Sequence, residues 1–170
     1  TNDGFTVSCW LSPEIVNQTN PAAKAGGYTR WLQKGPPHEW QMVYYNANSP
    51  RPQWISFYNY SPSGGLGAGD YSTGAIPANG WVYVTGIVKG VTLPTIGLPM
   101  VYRNSAVATG APDSWQRYGL SYANGSSPVN IGAGWPANGD YFKGRIAELR
   151  ISKGVSDPTR ITADYYSQMD

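Results

Sequence analysis

The sequence predicts an all-β fold, a sandwich of two antiparallel sheets in a single domain. Three observations predict it. First, turn and strand formers dominate: 21 Gly, 14 Pro, 13 Tyr and 7 Trp stand among 170 residues of which only 13% are charged, whereas helical proteins draw on Ala, Leu, Glu and Lys. Second, the clearest periodicity is two: Phe5, Val7, Cys9 and Leu11 fall on one side, and Thr6, Ser8, Trp10 and Ser12 on the other. Third, short strand-like runs are separated by Gly, Pro and Asn with no intervening helices, the pattern of a sandwich and not of a parallel sheet.

The elements follow in order. After Phe5–Leu11 comes Pro13 and a polar loop to Gly27. Tyr28 to Lys34 reads as a strand, closed by Gly35-Pro36-Pro37. Glu39 to Tyr45 and Gln53 to Tyr60 read as two more, joined by Asn46 to Pro52. Residues 61–80 are rich in glycine and lack a pattern, so a long loop is expected there. Trp81 to Lys89 and Pro99 to Asn104 are strands, and Asn104-Ser105 is a tight turn into Ala106-Val107-Ala108. Residues 110–127 read as loop. Pro128 to Ala133 and Tyr141 to Ser152 are the last strands. Only Pro158 to Tyr166 reads as helix, with Asp157 as cap before a proline at the first position.

Composition also bounds function. The formal net charge of +2 is small and scattered, unlike the basic face of a nucleic-acid binder. No apolar run is long enough to insert in a bilayer. Cys9 is the one cysteine, which excludes a disulfide framework or thiolate cluster and suits a small buried hydrophobe. Few cysteines with abundant Asn, Gly, Ser and Tyr fit an extracellular protein, secreted or at the cell surface.

The C-terminal third carries a resemblance. Asn130-Ile131-Gly132, then Phe142-Lys143-Gly144-Arg145-Ile146-Ala147-Glu148-Leu149-Arg150-Ile151-Ser152, then Ile161 to Tyr165 resemble the closing segment of the laminin-G/concanavalin-A-like jelly-roll superfamily. Phe5 to Leu11 is similar to its early strand, and Trp81 to Gly86 with Val101 to Ser105 to its central hairpin. The resemblance implies a two-sheet jelly roll over residues 1–170, one domain of a larger protein, with Trp10 and Trp81 at structural tryptophan positions. Ala147 departs from the family's acidic residue and Ser105 from its turn glycine.

The superfamily includes glycosidases and lyases, so catalysis is tested by residue. Retaining glycosidases need two carboxylates about 5.5 Å apart, and laminarinase-type relatives carry E-x-D-x-x-E on one strand; the acids here are dispersed. Lyase relatives pair a Gln-x-His strand with a Tyr-Phe-Lys strand. Tyr141-Phe142-Lys143 matches the second, but the only histidine, His38, has no Gln two residues before it. One histidine excludes a His-based metal cluster, and no Gly-x-Ser-x-Gly elbow exists. The expectation is a chain without catalysis and without a required cofactor.

Sugar recognition asks for aromatics on the solvent side of a strand, interleaved with amides and guanidinium groups. If Ile55 and Phe57 face the core, Trp54, Tyr58 and Tyr60 face out. In the preceding strand Trp40 and Tyr44 are expected outward beside Met42, although the opposite register suits Met42 as a core residue. Arg30, Arg51 and Gln53 supply polar contacts, and the loop aromatics Trp115 and Trp135 are further candidates. Relatives often hold calcium, and Asp70, Asp113, Asp140 and Glu148 are the oxygens available for a structural ion. The expected partner is an extracellular oligo- or polysaccharide, besides other domains of the parent protein. The alternatives are a protein-interaction or adhesion domain of a cell-surface or phage structural protein, and an atypical polysaccharide lyase or glycoside hydrolase.

Overall fold

The computed structural model describes residues 4–14, 27–35, 39–47, 49–61, 65–72, 74–89, 99–107, 126–134 and 141–169. Among these residues are ten strands and one helix: β1 (Gly4–Pro13), β2 (Tyr28–Lys34), β3 (Trp40–Tyr45), β4 (Ile55–Ser61), β5 (Gly65–Tyr71), β6 (Val82–Lys89), β7 (Pro99–Arg103), β8 (Ala106–Val107), β9 (Val129–Ile131), β10 (Gly144–Lys153) and α1 (Pro158–Tyr166). They form two five-stranded sheets. The first has the order β10-β1-β6-β7-β8 and the second β5-β4-β3-β2-β9; every pairing is antiparallel. The long loop expected over residues 61–80 instead contains β5, an edge strand whose glycines hide it from any apolar pattern.

Period-two alternation builds the core. Val7, Cys9 and Leu11 of β1 with Val82, Val84 and Val88 of β6 meet Trp40, Met42 and Tyr44 of β3 and Ile55 and Phe57 of β4. The register puts Tyr44 opposite Ile55, Met42 opposite Phe57 and Trp40 opposite Asn59, so all three follow the inward face of β4. This corrects the outward placement of Trp40 and Tyr44. Phe5 packs on Trp40 and Phe57 with ring centroids 5.4 and 5.9 Å apart. Cys9 is buried, and burial pushes its thiol well above the usual range.

A carboxylate ties the two sheets together. Asp70 of β5 accepts from the Tyr71 N–H at 2.9 Å and, across the sandwich, from the Val101 N–H of β7 at 2.8 Å. At the other edge Gly144 opens β10 with φ 154°, and a Cβ there would stand 2.5 Å from the Ser12 carbonyl oxygen, so only glycine fits.

The outer face of the first sheet is roofed by α1. Asp157 caps it, its side chain accepting from the Arg160 N–H at 2.9 Å. Ile161 is buried against Ile87 and Tyr102. Farther along, Trp10 packs between Tyr83 and Tyr165 at 5.3 and 5.8 Å, and its Nε1–H donates to Gln168 Oε1 at 2.9 Å. No helix among the described residues is long and apolar enough to cross a membrane.

Candidate functional site

The outer face of the second sheet carries a grid of aromatic and polar side chains. Its first row is Tyr28, Tyr45 and Trp54; the second is Arg30, Val43, Ser56 and Tyr71; the third is Gln33, Gln41, Tyr58 and Gly69. Tyr60 stands beyond the third row, its N–H on the Glu39 carbonyl at 2.9 Å.

A bulge puts Arg30 there. Strict alternation would turn Arg30 and Leu32 to the same side. The register shifts between them, with Arg30 opposite Val43 and Leu32 opposite Met42, so Trp31 and Leu32 both enter the core while Arg30 stays outside.

The side chains form a closed circuit. Tyr28 and Tyr45 have ring centroids 5.8 Å apart, Tyr45 and Tyr71 5.9 Å, Tyr71 and Tyr58 5.5 Å and Tyr58 and Tyr60 6.5 Å. The return path is polar: Tyr60 is hydrogen-bonded to Gln41, Arg30 Nε donates to Gln41 Oε1 at 2.6 Å, and Arg30 Nη2 donates to Tyr28 Oη at 3.1 Å. Arg30 also lies over the Tyr28 ring at 5.0 Å, and Arg51, from the β3–β4 loop, covers the Tyr71 ring at 4.0 Å, the geometry of cation–π attraction. Burial holds the Tyr60 hydroxyl above its ordinary titration range, opposed by the positive charge of Arg30. It is therefore a neutral donor and acceptor.

The circuit is more closed than an open strip of rings. Tyr45, Tyr58 and Tyr71 pack on one another and are buried, whereas Tyr28, Trp54 and Tyr60 are half-buried. Arg51 is also half-buried. Trp54, Tyr58 and Tyr60 thus lie on the expected face, together with Arg30. Gln53 has a different position: at φ 61° it turns the chain into β4, its side chain hydrogen-bonds Tyr44, and its carbonyl accepts from the Ile76 N–H at 3.0 Å. Tyr28, Gln41, Tyr45 and Tyr71 were missed; the pairing of β2 and β5 with their neighbours, which the sequence does not display, brings them in. Trp115 and Trp135 lie outside the described residues, as does His38.

The calcium set is not assembled by the residues described. Both Asp70 oxygens accept backbone N–H groups inside the sandwich, and burial raises its pKa to about 6 against those two hydrogen bonds. Glu148 is exposed on β10, at the opposite edge of the fold, and pairs with Arg150 at 3.3 Å. Asp113 and Asp140 lie outside the described residues, and among the described ones no three His, Cys, Asp or Glu come together. Of the lyase-like triplet, Tyr141 is exposed and Phe142 packs against the core.

A sequence-family model described as the concanavalin A-like lectin/glucanases superfamily matches residues 1–162. Among solved structures, the binding domain of Paraclostridial Mosquitocidal Protein 1 is similar at 14% identity and a TM-score of 0.69, over 99% of this chain and 38% of that one. A structure of botulinum neurotoxin type C, a toxin whose cell entry depends on interaction with two ganglioside molecules, is similar at 13% identity and 0.64, over 97% and 36%. The heptameric SAP-like pentraxin from Limulus polyphemus is similar at 15% identity and 0.60, over 94% and 68%. These likenesses show the fold. The chain spans little more than a third of the toxin chains it matches. No curated protein sequence matches it.

Proposed function

The chain belongs to the concanavalin A-like lectin/glucanase superfamily, and from that premise we propose that it is a non-catalytic binding domain for an extracellular polysaccharide. The ligand site is the outer face of the second sheet. One observation carries the reading: five tyrosines, a glutamine and an arginine close into a single circuit on a face turned away from the core. Aromatic rings meet the apolar faces of pyranose rings, and preset phenol and guanidinium groups hydrogen-bond their hydroxyls at little ordering cost. The half-buried Trp54, Tyr60, Tyr28 and Arg51 make the contacts. Buried Tyr45, Tyr58 and Tyr71 hold them in place. The superfamily and the binding domains among the similar structures support a binding role, and the ganglioside dependence of the type C neurotoxin supports a saccharide. Three of the described acids are engaged elsewhere: Glu39 with Lys34, Asp70 with backbone, Glu148 with Arg150.

Affinity electrophoresis through gels containing different neutral polysaccharides tests the reading. At least one polymer should retard the wild type, and Trp54→Ala and Tyr60→Ala should migrate freely while keeping a cooperative unfolding transition. Free migration of the wild type through every gel, or retardation unaffected by both substitutions, overturns it. Trp40→Ala should instead lose folded protein, because Trp40 is core.

A further inference from the structure

Beyond the aromatic face of the second sheet, the opposite face of the sandwich holds a row that the helix does not reach, with Trp81 and Arg145 exposed on either side of a buried Ser12. Ser12 of β1 stands beside Arg145 of β10, and Trp81, immediately before β6, continues the row on the other side of β1. The next row, Ala147, Trp10 and Tyr83, is the one roofed by Tyr165 and Gln168 of the C-terminal segment. The helix thus stops one row short. Trp81 remains 44% exposed, which corrects its expected role as a structural tryptophan.

Arg145 reaches along this row. Its guanidinium carbon lies over the Trp81 ring at 5.2 Å, and Nη2 donates to Ser12 Oγ at 3.4 Å. No carboxylate pairs with it among the described residues, while Arg150 on the same strand pairs with Glu148. Nearby, the Glu14 N–H donates to the Lys143 carbonyl at 3.1 Å, which joins the end of β1 to the segment before β10. The indole and the Ser12 hydroxyl keep the guanidinium in this row, with its remaining N–H groups available to a ligand. A guanidinium fork matches the two oxygens of a carboxylate or sulfate ester. Exposed tryptophan beside it offers apolar surface to a sugar ring.

We propose that Trp81, Ser12 and Arg145 form a second glycan site, specific for an acidic sugar of a polysaccharide. Arg145 takes the anionic group, Ser12 Oγ holds Arg145, and Trp81 supports the guanidinium and meets the ring edge. With sites on opposite faces, one domain bridges two polysaccharide chains or two stretches of one, and linked weak sites gain avidity.

The test compares polygalacturonate with its fully methyl-esterified form, and dextran sulfate with dextran, by affinity electrophoresis at low salt. Wild type should be retarded by a charged polymer of at least one pair and not by its neutral counterpart, with the retardation falling as salt rises. Arg145→Met, which keeps a chain on the indole, should weaken binding at least tenfold. Arg145→Lys should weaken it several-fold by losing the fork, and Trp81→Ala should do the same. Arg150→Met is the control for general charge and should change little. No retardation by either charged polymer, or equal losses in Arg150→Met and Arg145→Met, overturns the proposal. Trp54→Ala and Tyr60→Ala should leave acidic-polymer binding intact, so failure here and failure of the neutral-glycan site are read separately.

Discussion

Raising the pH from 4 to 7 is expected to weaken the fold through one side chain, Asp70. Its carboxyl sits between the sheets and accepts the Val101 and Tyr71 N–H groups at 2.8 and 2.9 Å. Those bonds favour the charged form, but desolvation outweighs them and raises the pKa from 3.8 to about 6. In the unfolded chain the group titrates at its ordinary value. Between about pH 4 and 6 the folded state therefore holds a proton that the unfolded state has released, and stability falls as pH rises. The contribution is full below pH 4 and lost above pH 6. Two units at 1.36 kcal/mol each give about 3 kcal/mol, or about 2 kcal/mol after allowance for partial solvent screening. For a chain of this length that is roughly 4–12 °C in Tm. Urea unfolding at pH 4, 5, 6 and 7, on wild type and Asp70→Asn, isolates the contribution of this carboxyl, because other titrating groups cancel in the difference. The substitution keeps one acceptor and removes the titration. Wild type should lose about 2–3 kcal/mol relative to the variant across this interval. Parallel pH profiles, or a difference growing in the opposite sense, would refute the argument.

Other expectations follow from packing and backbone. A Cβ on Gly86 would meet the Phe57 ring at 2.7 Å and the Met42 terminal methyl at 3.0 Å, so Gly86→Ala should cost about 1–3 kcal/mol in denaturant unfolding. Asn104 and Ser105 both adopt positive φ, 48° and 65°, as the tight β7–β8 turn demands; Ser105→Gly should raise stability by about 0.5–1 kcal/mol, read as a shift in Tm. Ile161, 1% exposed, is the one buried residue of α1, and Ile161→Ala should cost about 2–4 kcal/mol with greater protease sensitivity near the C-terminus. Trp10→Ala removes the ring under Tyr165 and the bond to Gln168 and should cost roughly 3 kcal/mol, whereas Trp54→Ala should cost about 1 kcal/mol and act mainly on binding.

The fold was legible where one face of a strand is apolar and the other polar. Phe5 to Leu11 announces β1, Asp157-Pro158 announces α1, and Asn104-Ser105 announces its turn. β3 was harder to orient because both faces carry large side chains: Trp40, Met42 and Tyr44 against Val43 and Tyr45. Only the pairing with Ile55 and Phe57 decides between them. β5 is nearly half glycine by sequence and exists through its pairing with β4 rather than through its own propensity. The position of Arg30 depends on a bulge, a one-residue slip that leaves no mark on composition. For the same reason half of the tyrosine circuit was invisible: its members come from strands whose adjacency is tertiary.

The two outer faces of the sandwich began with the same raw material and were resolved differently. Both alternate aromatic residues with small polar ones, and alternation alone makes each an exposed apolar surface. On the first sheet the C-terminal helix resolves this, burying Ile161 on Ile87 and Tyr102 and laying Tyr165 on Trp10 and Tyr83. Aromatics there are consumed by packing, apart from the one row beyond the helix end. On the second sheet the rings pack on one another and on two guanidinium groups, so the layer is stable as it stands yet keeps Trp54, Tyr60 and Tyr28 half open. Most of this face is closely packed, with Arg30, Gln33, Gln41, Val43 and Ser56 buried, and the half-open rings are held by these neighbours, so ordering them costs binding little further. That asymmetry, rather than the number of aromatics, is the reason to place recognition on the second sheet and to treat Trp81 as the exception on the first.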